Sequence, residues 1–153
     1  LRYTNVFGFD TETRPSFKKG IKNNISLIQL ATSDSAFLFR INLTGIPEFL
    51  IRIFEDKDIT KVGVALRDDL KGLKKIKPFN PEGFTDLQQY VEEFGIEDKG
   101  LRKLAANILG LKISKGQQTS NWENKVLKKS QLVYAATDAW VCCEIFNKLT
   151  RHT

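Results

Sequence analysis

The sequence predicts an α/β fold: a mixed five-stranded sheet that begins as an antiparallel meander, with helices on both faces. Three observations predict it. Apolar runs bounded by turn residues come first, at Val6-Phe7-Gly8-Phe9-Asp10, Ile25 to Ala31 and Ser35 to Ile41. From residue 46 onward, helical and strand patterns alternate, and the chain closes on helical periodicity.

Each element has its own local reason. The Ser33-Asp34-Ser35 turn is short enough for a hairpin, so the second and third strands run antiparallel. Ile46 to Glu55 places Ile46, Phe49, Leu50, Ile53 and Phe54 at the 3, 4 spacing of an amphipathic helix, with Pro47 tolerated in its first turn. Lys61 to Leu66 reads as the fourth strand and Asp68 to Ile76 as a lysine-rich helix. After the loop marked by Pro78 and Pro81, Phe84-Thr85-Asp86 reads as a brief fifth strand. Helical segments follow at Leu87 to Phe94, Leu101 to Leu109 and Ser130 to Leu149, the last the longest. No linker, repeat or low-complexity block interrupts them, so 1–153 reads as a single domain.

Composition narrows the class. Apolar residues make up 41% of the chain, with 11 phenylalanines, which is enough to fill one core. The formal charge of +6 suits a polyanionic partner, although charge alone does not identify one. Cys142 and Cys143 are adjacent in an apolar helical stretch, a spacing that fits core filling rather than a disulfide framework or a zinc site. No apolar run reaches the roughly 20 residues of a membrane span, and no signal-peptide pattern opens the chain. The expectation is an intracellular protein, cytoplasmic if bacterial, with no membrane partner. Because the chain starts at Leu1 and contains no Met, it also reads as a domain excised from a longer product.

The chemistry-bearing residues are acids. Asp10 and Glu12 are two apart at a strand end, so the period of two puts both carboxylates on one side of the sheet. Hard divalent cations such as Mg²⁺ and Mn²⁺ prefer such oxygens, and a pair of ions about 4 Å apart can clamp the attacking and leaving oxygens of a phosphodiester. Alone, the triplet equally suits a solvated loop. Tyr134 and Asp138 are four apart and project from one helix face, while Ala135, Ala136 and Ala139 let that helix approach a sheet closely. Asp68 and Asp69 follow the fourth strand, where either suits an N-terminal cap and Asp69 also suits a ligand at a strand end. Trp122 suits base stacking and, better, core packing.

The order Asp10-x-Glu12, then Gly63-Val64-Ala65-Leu66-Arg67-Asp68-Asp69-Leu70, then Tyr134-x-x-x-Asp138 resembles the three motifs of the DEDDy 3′-5′ exonucleases. These belong to the DnaQ-like group on the RNase H-like fold, and the likeness is strongest to the ribonuclease D and Werner-syndrome exonuclease branch. Ser26-Leu27-Ile28-Gln29-Leu30, Leu101-Arg102-Lys103-Leu104-Ala105 and Ser120-Asn121-Trp122 add to the resemblance, which covers nearly the whole chain.

The resemblance implies that Asp10, Glu12, Asp69 and Asp138 are the four metal-binding acids and Tyr134 the subgroup's tyrosine. Asp69 is preferred to Asp68 because the bulky Leu70 follows it directly. The histidine-containing subgroup does not match, since the only histidine, His152, lies beyond Asp138. Thr13 resembles the position that approaches the terminal sugar. The implied cofactors are two divalent ions, Mg²⁺ or Mn²⁺: Asp10 bridging both, Glu12 and Asp138 on one, Asp69 supporting the other, and Tyr134 orienting the water. The implied substrate is single-stranded or 3′-recessed DNA, or RNA, cut from the 3′ end to 5′-mononucleotides. A catalytically silent binding module on the same fold is the alternative, and an RNase H-like endonuclease is a more distant one.

Overall fold

The computed structural model describes residues 5–96 and 100–151. Five strands form one sheet: β1 (Val6–Thr13), β2 (Ile25–Ala31), β3 (Ala36–Phe39), β4 (Thr60–Gly63) and β5 (Phe84–Asp86), in the order β3-β2-β1-β4-β5. β1, β2 and β3 pair antiparallel, and β4 and β5 add parallel to β1. This is the predicted mixed sheet and the RNase H-like fold. β2 is buried along its whole length because it lies inside the sheet with both faces covered.

Helices α1 (Ile41–Thr44), α2 (Glu48–Glu55) and α3 (Leu66–Ile76) pack on one face, where Phe9, Ile28 and Leu30 meet Leu50, Phe54 and Leu73. α4 (Leu87–Tyr90), α5 (Leu101–Leu104) and the 22-residue α6 (Lys129–Thr150) gather on the other. There Val62 packs with Leu87, Leu104, Val141 and Ile145, and Leu27 with Trp122, Tyr134 and Ala135. Trp122 is thus a core residue, and the free cysteines Cys142 and Cys143 are buried as expected.

α6 lies against β1 with almost no clearance. A Cβ on Gly8 would stand 1.7 Å from the Ala139 carbonyl oxygen, so only glycine fits at that crossing. Ala135 and Ala139 are wholly buried at the same contact, while Ala136 faces partly outward.

Local boundaries differ from the sequence reading where a distant residue decides them. β1 continues past Asp10 to Thr13, so both acids sit within the strand. β4 ends at Gly63 rather than Leu66, because Ala65 turns the chain with φ 54° and α3 begins one residue later. That turn is held by Asp86, whose carboxylate accepts from the amides of Ala65 and Leu66 at 3.2 and 3.0 Å. The capping role open to Asp68 and Asp69 is therefore filled from another strand. Helix α1 was not anticipated. Residues 91–94 wind as a 3₁₀ turn after α4, and 105–109 as a π turn after α5. His152 lies outside the described residues.

Among the described residues, no helix is long and apolar enough to cross a membrane.

Lys61 is fully buried, and its ammonium donates to the carbonyls of Ile53, Asp56, Ile59 and Glu82 at 2.6 to 2.9 Å. One cation thereby gathers the end of α2, the turn into β4 and the loop before β5.

Candidate active site

β1 carries two sets of side chains to opposite faces. Gly8, Asp10 and Glu12 point toward α6, whereas Phe9 and Thr11 point toward α3. Asp138 reaches Asp10 and Glu12 because Gly8 lets α6 settle onto β1. One carboxylate oxygen from each of Asp10, Glu12 and Asp138 lies within 4.8 Å of the other two.

Asp69 joins from the opposite face. It stands outside the tight cluster, and Thr11 Oγ1, from the residue between the two strand acids, donates to its Oδ1 at 2.6 Å. Asp68 is exposed and lines the neighbouring groove. Asp69 thus lies bonded to the strand that carries Asp10 and Glu12, and Asp68 lies on the groove wall.

Tyr134 is buried on α6 one turn before Asp138, and its hydroxyl lies near enough to that carboxylate to favour its ionised form. Its ring stacks near Trp122, 6.0 Å between centroids. Arg102 Nη2 in turn donates to the Tyr134 hydroxyl at 3.1 Å and lies 3.7 Å from Asp138 Oδ2. Gln29, opposite Asp10 on β2, donates from Nε2 to Glu12 Oε1 at 3.4 Å and to the Ala135 carbonyl at 3.2 Å.

Crowding makes these acids reluctant to ionise. Burial, then the charges of Asp138 and Asp69, holds Asp10 well above the usual carboxylate range. Burial, Asp10 and Asp138 push Glu12 up to about 9. Burial lifts Asp69 to about 6 against the bond from Thr11, and lifts Asp138 to about 6 against Arg102 and Tyr134. Burial and the neighbouring carboxylates push Tyr134 up to about 12, so it remains a phenol. Such a cluster is short of positive charge.

A divalent cation fits that deficit. Opposite oxygens around Mg²⁺ stand about 4.2 Å apart, and the three carboxylates span at most 4.8 Å. The three carboxylates could therefore hold one such ion.

Two depressions flank the acids. A groove of about 720 Å³ between the 14–24 loop and α3 is lined by Thr13, Arg14, Lys22, Asp69, Lys71 and Lys75. Thr13 therefore faces open space beside the acids. A second pocket of about 590 Å³ abuts Tyr134 and Asp138 and includes Lys112 and Lys129. Phe17, on the basic loop, is 91% exposed.

Sequence reasoning assigned no role to Thr11, Gln29 or Arg102. Gln29 had a signal, since a polar residue in an otherwise apolar strand must find a buried partner. Thr11 had none, and Arg102 stood within the Leu101-Arg102-Lys103-Leu104-Ala105 stretch with nothing to set it apart from its neighbours.

Comparison with known proteins agrees with this geometry. The family profile described as 3′-5′ exonuclease matches residues 1–153. A protein named as a 3′-5′ exonuclease in Acanthamoeba polyphaga mimivirus is 36% identical over 160 residues, covering 94% of this chain and 39% of the relative. The bifunctional 3′-5′ exonuclease/ATP-dependent helicase WRN of Mus musculus is 34% identical over 151 residues, covering 95% of this chain and 11% of the relative. The solved Nibbler EXO domain of Aedes aegypti superposes with a TM-score of 0.83 at 29% identity, covering 97% of this chain and 78% of that one. The chain thus spans well under half the length of the first two relatives. It belongs to the DnaQ-like 3′-5′ exonuclease family, an enzyme domain of the nuclease class.

Proposed function

We propose that residues 1–153 form a single 3′-5′ exonuclease domain that hydrolyses the terminal phosphodiester of DNA or RNA and releases 5′-mononucleotides. The observation that carries this reading is the meeting of Asp10, Glu12 and Asp138 within 4.8 Å, with Tyr134 one turn before Asp138 on α6 and Asp69 tied in through Thr11.

In this reading Asp10, Glu12 and Asp138 would hold one divalent cation, and Asp69, with Asp10, would support a second. Two such ions, Mg²⁺ or Mn²⁺, would supply charge that stabilises the developing oxyanion and would make water acidic enough to act as nucleophile at neutral pH. Tyr134 offers its hydroxyl oxygen to orient that water on the side of Asp138. The water oxygen bonds to phosphorus, the bond from phosphorus to the 3′ oxygen of the preceding nucleotide breaks, and that oxygen takes up a proton. The phosphate stays on the released nucleotide's 5′ carbon.

The groove beside Asp69 fits an incoming strand. Arg14, Lys22, Lys71 and Lys75 line it, and Phe17 stands exposed on its loop. Basic groups can follow phosphates while an aromatic ring stacks a base. Thr13 lies where the groove meets the acids and is positioned to approach the terminal sugar.

The complete set of four acids and a tyrosine supports turnover over the alternative of a silent binding module. The test is digestion of 5′-labelled single-stranded and 3′-recessed DNA and RNA with Mg²⁺, Mn²⁺ or EDTA. A descending ladder that needs the metal is expected; binding without cleavage would favour the silent module.

A further inference from the structure

The acid cluster contains a resident cation that the exonuclease reading does not use. Arg102 sits on α5, which is anchored by Leu104 and the following Ala105, both fully buried against the α6 side of the core. Its side chain is 23% exposed, and among the described residues its hydrogen bonds are donated by a single nitrogen, Nη2. It donates to the Ser114 carbonyl at 2.9 Å and to the Tyr134 hydroxyl at 3.1 Å, and it stands 3.7 Å from Asp138 Oδ2. The guanidinium carbon lies 5.9 Å from the Tyr134 ring centroid.

The Arg102 Nε is buried and has no hydrogen-bond partner among the described residues. A charged donor left orphaned is costly, so the site gives up a hydrogen bond to keep the guanidinium there. What it gains is a cation facing the acids, whose field reaches Asp10, Tyr134 and Asp138. Tyr134 is also held from two directions, by Trp122 beside its ring and by Arg102 donating to its hydroxyl, with Asp138 one turn further along the same helix.

We infer that Arg102 is a positioning residue for the hydrolytic step, clamping the Tyr134 hydroxyl against Asp138 and serving as the acid cluster's resident counter-charge. It sets where the tyrosine oxygen sits when water is oriented. The same positive charge opposes a divalent cation arriving at Asp138. The two effects have opposite signs on two different measurements, which a purely structural arginine would not produce.

This inference rests on the exonuclease reading, and the experiment separates the two. Wild type, Arg102→Gln and Arg102→Lys are compared for Mn²⁺ binding by calorimetry without substrate, and for kcat and KM on a single-stranded oligonucleotide. Arg102→Gln is expected to lower kcat by about tenfold to a hundredfold with little change in KM. Its Mn²⁺ affinity is expected to rise by about threefold or more as the opposing charge disappears. Arg102→Lys keeps the charge but not the planar fork, so Mn²⁺ affinity should return toward wild type while kcat stays low. Added guanidinium ion should restore part of the activity of Arg102→Gln.

Unchanged kcat in Arg102→Gln, or a fall in kcat accompanied by weaker Mn²⁺ binding, would overturn the inference. A wild-type protein that binds Mn²⁺ but degrades no oligonucleotide overturns the exonuclease reading instead. In that case a tighter Mn²⁺ site in Arg102→Gln still supports the counter-charge role, and an unchanged one removes it.

Discussion

Thr11 Oγ1 donates to Asp69 Oδ1 at 2.6 Å, so the residue between the two strand acids holds the acid from the opposite face of the sheet. One strand therefore organises both halves of the site: even-numbered positions present Asp10 and Glu12 to α6, and the intervening odd position steers Asp69. Thr11→Val keeps the shape and removes the donor. It should fold normally and lose about tenfold to a hundredfold in kcat, the usual effect of losing a ligand's supporting bond. Steady-state kinetics with a parallel melting curve checks this.

Asp69→Asn should abolish detectable cleavage, whereas Asp68→Asn should leave most of it. Asp68 is exposed on the groove wall, but Asp69 is bonded into the site. If the two variants exchanged phenotypes, the assignment of the motif's acid would be wrong.

Gly8→Ala should destabilise the fold by about 1–3 kcal/mol or more, because the new methyl group overlaps the Ala139 carbonyl and must push α6 off β1. Activity should fall further than stability, since that displacement carries Tyr134 and Asp138 away from Asp10. Denaturant melts and activity measured on the folded fraction separate the two effects.

Without divalent cations, stability should decline as pH rises. Asp69 and Asp138 move from 3.8 to about 6, and Glu12 from 4.5 to about 9, so each binds its proton more tightly in the folded chain. Unfolding then releases protons, and stability falls with rising pH between each pair of values. Thermal melts in EDTA should show a lower midpoint near about pH 8 than near about pH 5. Mg²⁺ or Mn²⁺ should raise the midpoint most at the higher pH, where it binds ionised carboxylates without displacing protons. A midpoint insensitive to metal at both values would argue against a cation site.

Phe17→Ala should raise KM for a single-stranded oligonucleotide without lowering kcat, by up to the about 1–3 kcal/mol that a stacked base contributes. KM should also climb with salt, and less steeply once Lys22 and Lys75 are neutralised, because fewer counterions are released on binding. Fluorescence anisotropy across a salt series checks both.

The elements were legible in the sequence because they are written in short-range periodicity, and the acids because their order resembles the three exonuclease motifs. A spacing of two put Asp10 and Glu12 on one face, and a spacing of four put Tyr134 and Asp138 on one helix stripe. The short alanines beside them announced a close helix–sheet contact. Boundaries were less legible: β4 stops at Gly63 because Asp86, 21 residues beyond Ala65, caps the turn. Asp69 is held by a residue 58 positions away, Tyr134 is held by one 32 positions away, and Lys61 is buried among four carbonyls.

By itself, then, the sequence determined which residues could act and which local element carries each. Only the tertiary structure decided how the acids are oriented, which neighbours hold them and where the counter-charge sits. Periodicity is a property of neighbouring residues, but hydrogen bonds and charge fields between distant segments exist only once packing has brought those segments together.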